Sequence, residues 1–331
     1  MSDGVILVTG GAGYIGSHMV KMLQGHGREV LVLDDLSTGF EEALLGAPLV
    51  RGSIGDAALL DKVFAEHPIA AVMNFASFIA VGESVTRPDA YYLNNVANTL
   101  VLLNAMQRHG VRRYIFSSTA AIYGNPESVP IHEGQTKLPI NPYGRSKWMI
   151  EQVLEDFQVA FGFESVCLRY FNAAGADPDG QLGERHDPET HLIPLVLQAA
   201  SGRREAISVF GDDYDTPDGT CIRDYIHVQD LCAAHLLALE HLLAGGKSRR
   251  YNLGNGQGFS VKEVIDVARA VTQRPIEVRM QARRAGDPPR LIADSRLIQA
   301  ELNWRPEFAD LSTIVAHAWG WEQTFKTRST T

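Results

Sequence analysis

Short apolar runs rich in valine and isoleucine recur through the first half of this chain, each followed by a longer segment of helical spacing. The runs are VILVT (5–9), VLVLD (30–34), AAVMNF (70–75), RYIFSS (113–118) and SVCLRYF (165–171), with a shorter one at LVRGS (49–53). They are apolar nearly throughout and do not alternate with polar residues, so they read as strands buried on both faces. Between them, residues 14–26, 57–66, 89–109 and 143–161 place apolar side chains at helical intervals. Repeated strand–helix units predict an α/β fold on a parallel, doubly wound sheet, because parallel neighbours need a crossover and a helix supplies it.

Past about residue 175 the pattern loosens. The stretches GADPDGQLGERHDPETHLIP and GDDYDTPDGTCIRDY are polar and rich in glycine and proline, as loops closing over a ligand would be. Helices are expected near 229–244 and 261–272, flanking a short strand YNLG at 251–254. The organisation this predicts is a main domain over 1–175, rejoined by 226–254, and a smaller C-terminal lobe made of 176–225 and 255–331.

Charge narrows what such a chain can bind. A formal net charge of −9 argues against a nucleic-acid binder and against a polybasic membrane protein. An anionic ligand must then be met by local arginines or backbone amides. The three cysteines, Cys167, Cys221 and Cys232, are far apart with no CxxC pair, so neither a disulfide framework nor a metal site is expected. The start, MSDGVILVTGG, has no basic leader and no apolar stretch approaches a membrane span. A cytoplasmic protein is expected.

The first strand runs straight into GGAGYIG and then a helix. Gly11, Gly13 and Gly16 satisfy G-x-G-x-x-G, and Gly10, Gly13 and Gly16 give the variant with two residues between each glycine. In this strand–turn–helix context the turn predicts a Rossmann-type dinucleotide site, where glycines admit a pyrophosphate and helix amides meet its charge. Asp34 ends the second strand, where an acid grips the adenosine ribose hydroxyls and would repel a 2′-phosphate. The predicted cofactor is NAD.

A nicotinamide site also needs a group that moves a proton. In NPYGRSK (141–147), a proline suited to a first helical turn precedes Tyr143 and Lys147, four residues apart and so on one helix face. A tyrosine titrates near 10. A neighbouring ammonium and a cationic nicotinamide would favour its phenolate. SSTAAIYG (117–124) follows a predicted strand at its carboxyl end, where ligands sit in such sheets. Its Thr119, rather than Ser118, is the candidate hydroxyl partner.

Taken together, the glycine-rich turn, SST, Tyr143 with Lys147, and RYFNAAG resemble the extended short-chain dehydrogenase/reductase family. VGESVTRPDAYYLNNVANTL, RDYIHVQDL and ELNW narrow the resemblance to the UDP-glucose (UDP-galactose) 4-epimerases, from residue 5 to about 320. That resemblance implies Tyr143 as the base, Lys147 and Thr119 beside it, and cofactor contacts from Gly10, Gly13, Tyr14, Ile15, Gly16, Asp34, Ser53, Ile54, Phe75 and Ala76 together with Tyr143 and Lys147. On the sugar-nucleotide side it implies Thr119, Tyr143, Asn172, Leu192, Arg223, Arg284, Asp287 and Leu291. It implies a homodimer too, paired through the helices around 89–109 and 143–161.

Three positions depart from the better-known bacterial pattern. Ile79 stands where some members have a lysine reaching the cofactor, and Ser53 where an aspartate often meets the adenine. Leu291 stands where a bulky tyrosine in some members excludes N-acetylated sugars, so room for UDP-N-acetylhexosamines is expected.

The implied reaction interconverts UDP-glucose and UDP-galactose through a 4-keto sugar that turns over before it is reduced again. A nucleotide-sugar 4,6-dehydratase would need an Asp–Glu pair after the threonine, where this chain has Ala120 and Ala121. A 4-epimerase for UDP-glucuronate or UDP-xylose stays open at this stage. A non-catalytic NAD sensor on the same fold is the reading from another class, and it has no use for the tyrosine, lysine and threonine together.

Overall fold

A computed structural model describes residues 4–284 and 287–328. Six strands and six helices make up the first half. The strands are β1 (Val5–Thr9), β2 (Val30–Asp34), β3 (Leu49–Arg51), β4 (Ile69–Asn74), β5 (Arg113–Thr119) and β6 (Glu164–Tyr170). The helices are α1 (Tyr14–Gly25), α2 (Ala57–Glu66), α3 (Val81–Thr86), α4 (Pro88–Tyr91), α5 (Asn98–Arg108) and α6 (Pro142–Phe161). In the second half β7 (Asn172–Ala174), α7 (Leu192–Ser201), β8 (Ile207–Phe210), β9 (Ile222–Arg223) and β10 (Tyr225–His227) precede α8 (Val228–Leu243) and β11 (Arg249–Leu253). The chain ends through β12 (Phe259–Ser260), α9 (Val261–Thr272), β13 (Val278–Gln281), β14 (Arg290–Leu291), α10 (Arg296–Leu302) and α11 (Leu311–Arg328).

The expected parallel, doubly wound sheet is present. Seven strands run in the order β11-β6-β5-β4-β1-β2-β3, and every pairing is parallel. All five residues of β1 are buried, yet they serve two cores. Ile6 and Val8 face the core holding α1 and α8, whereas Val5 and Leu7 face the core holding α2, α5 and α6. Each such side chain taken from water contributes about 1.5–3 kcal/mol, which is why a strand covered on both sides is apolar throughout. From β1 the chain builds outward to β2 and β3 on one side, then returns to β4 on the other. The carboxyl ends of β1 and β4 therefore flank the switch point where ligands bind in sheets of this kind.

One expectation is corrected. The helix read over 89–109 is broken into α4, a π-helical turn at Tyr92–Ala97, and α5. The wider turn accompanies the burial of Asn95, whose amide donates to the Phe78 carbonyl and to Ser146 Oγ, and whose carbonyl accepts from the Phe78 N–H. Such turns break the helical ladder locally and often mark functional sites. After β6 the smaller strands form three short sheets, β10-β7, β12-β9-β14 and β13-β8, with α7, α9 and α11 packed over a third apolar core. No helix among the described residues is long and apolar enough to cross a membrane.

Candidate active site

The glycine turn opens α1 at the end of β1. A Cβ on Gly16 would lie 2.1 Å from the Gly10 carbonyl, so only glycine lets the helix start this close to the strand. At Gly13 a Cβ would meet nothing nearer than that carbonyl at 3.5 Å, which leaves the turn open on its outer side. Gly13 caps α1 without any side-chain hydrogen bond, so the first amides of the helix, at Tyr14 and Ile15 among others, have no capping group. An open turn beneath uncapped amides fits a pyrophosphate.

Asp34 holds this turn in place. Its carboxylate accepts from the Ala12 N–H at 2.9 Å and the Leu36 N–H at 2.8 Å, while burial pushes its pKa up. Ile54 is buried in the apolar face behind β2, and Ser53 Oγ accepts from the Gly55 N–H at 3.1 Å. Phe75 and Ala76 follow β4 directly. The Phe75 N–H bonds the Thr9 carbonyl, and the Ala76 N–H bonds Asn74 Oδ1. All of these follow the carboxyl ends of β1, β2, β3 and β4. Ile79, by contrast, is 41% exposed.

Tyr143 and Lys147 stand on the first turns of α6. Asn141 caps that helix by accepting from the Gly144 N–H at 2.8 Å, and Pro142 fills the first position. Gly144 is the close contact, since a Cβ there would sit 2.6 Å from the Ala121 carbonyl. Its absence lets α6 press against the turn after β5, where Thr119 ends the strand. Tyr143 is 8% exposed, with the Thr119 hydroxyl near enough to favour its phenolate. Thr119 Oγ1 also accepts from the Ala121 N–H at 3.1 Å.

Strand alternation turns Ser118 to the face opposite Ser117 and Thr119. Ser117 contacts His235 on one side of the sheet, and Ser118 donates to Glu151 on the other at 2.6 Å. Thr119 alone meets Tyr143.

Lys147 is 2% exposed, and its Nζ donates to Ser77 Oγ at 2.8 Å and to the Ser117 carbonyl at 2.9 Å. Burial draws its pKa down to about 7. Tyr143 moves the other way: burial raises it, and the Thr119 hydroxyl only partly opposes that. The ammonium lies 5.9 Å from the Tyr143 ring centre. The protein's own groups therefore leave both side chains leaning toward neutrality. Desolvation dominates among the protein's own groups, so the phenolate expected beside an ammonium and a cationic nicotinamide depends on the cofactor's charge as well as on Lys147.

On the other side of the cleft, β14 pairs with β9 so that Leu291 lies beside Arg223. Leu291 packs on Ile122, Tyr123 and Ile131, just beyond Thr119. Arg223 donates to Asp287 and, at 2.8 Å, to the Ile222 carbonyl. Asn172 donates its amide to the Asp224 carbonyl at 2.9 Å. Leu291, Arg223, Asp287 and Asn172 are thus linked by contact or register. Leu192 opens α7 and packs on the third core, which also holds Tyr225. Arg284 is the outlier: exposed, with its guanidinium 3.9 Å above the Phe210 ring centre.

Sequence reasoning missed Ser77, which holds Lys147, and Asn95, which braces the same corner through Ser146. A serine shortly after a central strand was the only signal for the first. The π-helical turn that seats the second has no pattern to read.

Residues 6–254 match the model of the NAD dependent epimerase/dehydratase family. A UDP-glucose 4-epimerase of Halalkalibacterium halodurans is 54% identical over 318 residues, covering 96% of this chain and 95% of that one. The crystal structure of a UDP-glucose 4-epimerase from Brucella ovis in complex with NAD is 50% identical, with a TM-score of 0.93 over 95% of this chain and 97% of that one. A UDP-glucose 4-epimerase from Bifidobacterium longum, solved with NAD+ and UDP, is 40% identical, with a TM-score of 0.92 over 97% and 98% of the two chains. With the glycine turn, the Tyr143–Lys147 helix and Thr119 all in place on a sheet of this order, the chain belongs to the NAD dependent epimerase/dehydratase family.

Proposed function

We propose that this protein is an NAD-dependent 4-epimerase that interconverts UDP-glucose and UDP-galactose. The observation that carries the reading is the buried contact of Tyr143 with Thr119 at the carboxyl edge of the sheet, with Lys147 behind it. The similarity to UDP-glucose 4-epimerases over nearly the whole chain supports it.

In this reading residues 1–175 with 226–254 hold NAD, and 176–225 with 255–331 hold the uridine nucleotide. The uncapped amides of α1 receive the pyrophosphate, Asp34 the adenosine ribose, and Ser53, Ile54, Phe75 and Ala76 the adjoining surface. Held there, NAD would supply the acceptor and donor for the hydride at C4 of the sugar. Tyr143 takes the proton of the 4-hydroxyl and later restores it, while Thr119 orients that hydroxyl. Lys147 fixes the corner through Ser77.

Arg223 faces the diphosphate, its fork aligned by Asp287. Asn172, Leu192 and Arg284 complete the nucleotide side. The nucleotide must be held firmly and the sugar loosely, so that the 4-keto sugar can show either face without escaping. A polar anchor at Arg223 beside the apolar Leu291 surface meets both demands. A leucine there also leaves space for an N-acetyl group, so UDP-N-acetylhexosamines are proposed as slower substrates.

Two copies are proposed to pair through the α3–α6 face, where Val85 is 63%, Leu93 64% and Met149 41% exposed. Light scattering at twice the chain mass checks it. A cytoplasmic location accords with three free, buried cysteines.

The deciding experiment mixes purified protein with UDP-galactose and follows the sugar by proton NMR, first without and then with added NAD. Conversion to a UDP-glucose mixture is the expected result. No conversion under either condition overturns the assignment.

A further inference from the structure

Between β7 and α7 the chain reads Glu184-x-His186-x-x-Glu189-x-His191. Two histidines and two glutamates here bring one ligand atom each to within 4.8 Å of one another. We propose that Glu184, His186, Glu189 and His191 bind one divalent metal ion, zinc, as a four-ligand structural site.

The two His186 distances have the spacing of such a site, and the two His191 distances are shorter, at hydrogen-bond length. Tetrahedral bonds of about 2.0–2.1 Å to nitrogen and oxygen place ligand atoms about 3.3–3.4 Å apart. His186 Nδ1 lies 3.3 Å from Glu184 Oε1 and 3.4 Å from Glu189 Oε2. His191 Nδ1 lies 2.8 Å from Glu184 Oε1 and 2.9 Å from Glu189 Oε1.

The bland alternative is a pair of histidine–glutamate ion pairs, and hydrogen bonding serves it poorly. His186 Nδ1 is buried and, despite two carboxylate oxygens within reach, makes no hydrogen bond of acceptable geometry. One N–H proton on each ring cannot point along all four contacts. One ion that takes a single lone pair from each residue makes no such demand. Charge favours the ion as well. Ion pairing would require two imidazolium rings whose centres are 5.1 Å apart. It would also set two carboxylates, 6% and 5% exposed, side by side. One divalent cation balances both carboxylates and leaves the rings neutral.

The surroundings are built to hold these groups still. Trp321 Nε1 donates to the Glu184 carbonyl at 2.9 Å. Glu189 accepts the N–H groups of Thr190 and His191 at 2.7 and 2.8 Å. Arg185 pairs with Glu42 at 2.8 Å and stacks on Phe40 at 3.6 Å. The His186 ring meets the edge of Tyr14 at 6.4 Å, and His191 caps α7 just before Leu192. Four protein ligands leave no open position, so the ion ties the loop between the glycine turn and α7 and does no chemistry. None of the cysteines takes part, which is why cysteine spacing gave no hint of it.

The test uses the full-length protein and needs no sugar substrate, so its outcome is separate from that of the epimerase assay. After chelator treatment, zinc is restored at about 1 µM free concentration, far above the nanomolar Kd of a closed four-ligand site. Bound metal is then counted by mass spectrometry. About one zinc per chain is expected, with a Tm rise of about 4 °C at 100-fold over Kd. His186→Asn and Glu189→Gln should each lose both. Cobalt in place of zinc should give the visible bands of a four-coordinate ion, read on the unaltered protein in case the variants do not fold. Zinc occupancy below about one in ten chains, or a six-coordinate cobalt spectrum, overturns the site. So does stoichiometric binding that survives in folded variants.

Discussion

Lys147 Nζ is fastened between Ser77 Oγ and the Ser117 carbonyl, at 2.8 and 2.9 Å, with its ammonium 4.9 Å from the Phe116 ring centre and no carboxylate partner among its hydrogen bonds. Burial lowers its pKa to about 7, whereas an unfolded lysine titrates near 10.4. Between those values the unfolded chain binds the extra proton, so stability rises with pH across that window. Below pH 7 both states are charged, and the folded state bears the full cost of burying the ammonium. Lys147→Met removes this dependence. Relative to wild type, the variant should be more stable by about 2 kcal/mol more at pH 6 than at pH 9, from denaturant midpoints. An equal difference at the two pH values would show that Lys147 is not the group that titrates.

Tyr143→Phe deletes one oxygen, the one the Thr119 hydroxyl acts on. The ring stays, so packing against the turn after β5 stays too. If that oxygen carries the proton, kcat for UDP-galactose should fall by about 10²–10⁴-fold while KM and bound NAD change little. Thr119→Val, which keeps the shape but not the hydroxyl, should show a smaller loss of the same kind. Near-normal turnover in Tyr143→Phe would exclude the phenol as the base.

Behind the site, Arg169 and Glu151 form a fully buried pair, Nη2 to Oε2 at 2.6 Å, with side chains 1% and 0% exposed. Ser118 donates to the same carboxylate, and Tyr123 and Asn252 extend the network. The net worth of such a pair is small, but stranding one member is costly. Glu151→Ala leaves the Arg169 guanidinium short of its main acceptor, so the expected loss is about 3–5 kcal/mol in chemical denaturation. A variant that also replaces Arg169 by Met should recover part of it.

The parts of this protein that could be read in its sequence are those where one local rule leaves one outcome. Double-faced burial makes β1, β2 and β4 nearly continuous apolar runs and gives β5 and β6 apolar centres, and the asparagine–proline start of α6 announces itself. Positions 117–119 placed three hydroxyls at a strand end; alternation turns Ser118 away from the other two, and Thr119, the last residue of β5, is the one that acts on Tyr143. Ser77, Asn95 and the π-helical turn depend on contacts between elements far apart in the chain, which no periodicity records. The short strands β8, β9, β13 and β14 are two to four residues long, too brief for any pattern to show. Resemblance supplied Arg223 and Arg284 as a pair, yet their surroundings differ, and that difference has a consequence.

Arg223 has a side chain 13% exposed and is aligned by Asp287 and the Ile222 carbonyl, whereas Arg284 lies exposed on Phe210. A fixed guanidinium loses little freedom when a diphosphate arrives, and its hydrogen bonds form out of bulk water. A charged hydrogen bond in such a place is worth about 1.5–3 kcal/mol, so Arg223→Ala should raise KM for the UDP-sugar about 10–100-fold. Exposed charges contribute about 0–1 kcal/mol, so Arg284→Ala should cost less than about fivefold. Neither change should lower kcat comparably, because neither residue approaches the proton-transfer pair. Asp287→Asn frees the fork of Arg223 without removing its charge, so its effect on KM should fall between the two. Steady-state kinetics on the three variants measures the order. If Arg284→Ala proved the most damaging, the diphosphate would have to lie over Phe210 and not beside Leu291.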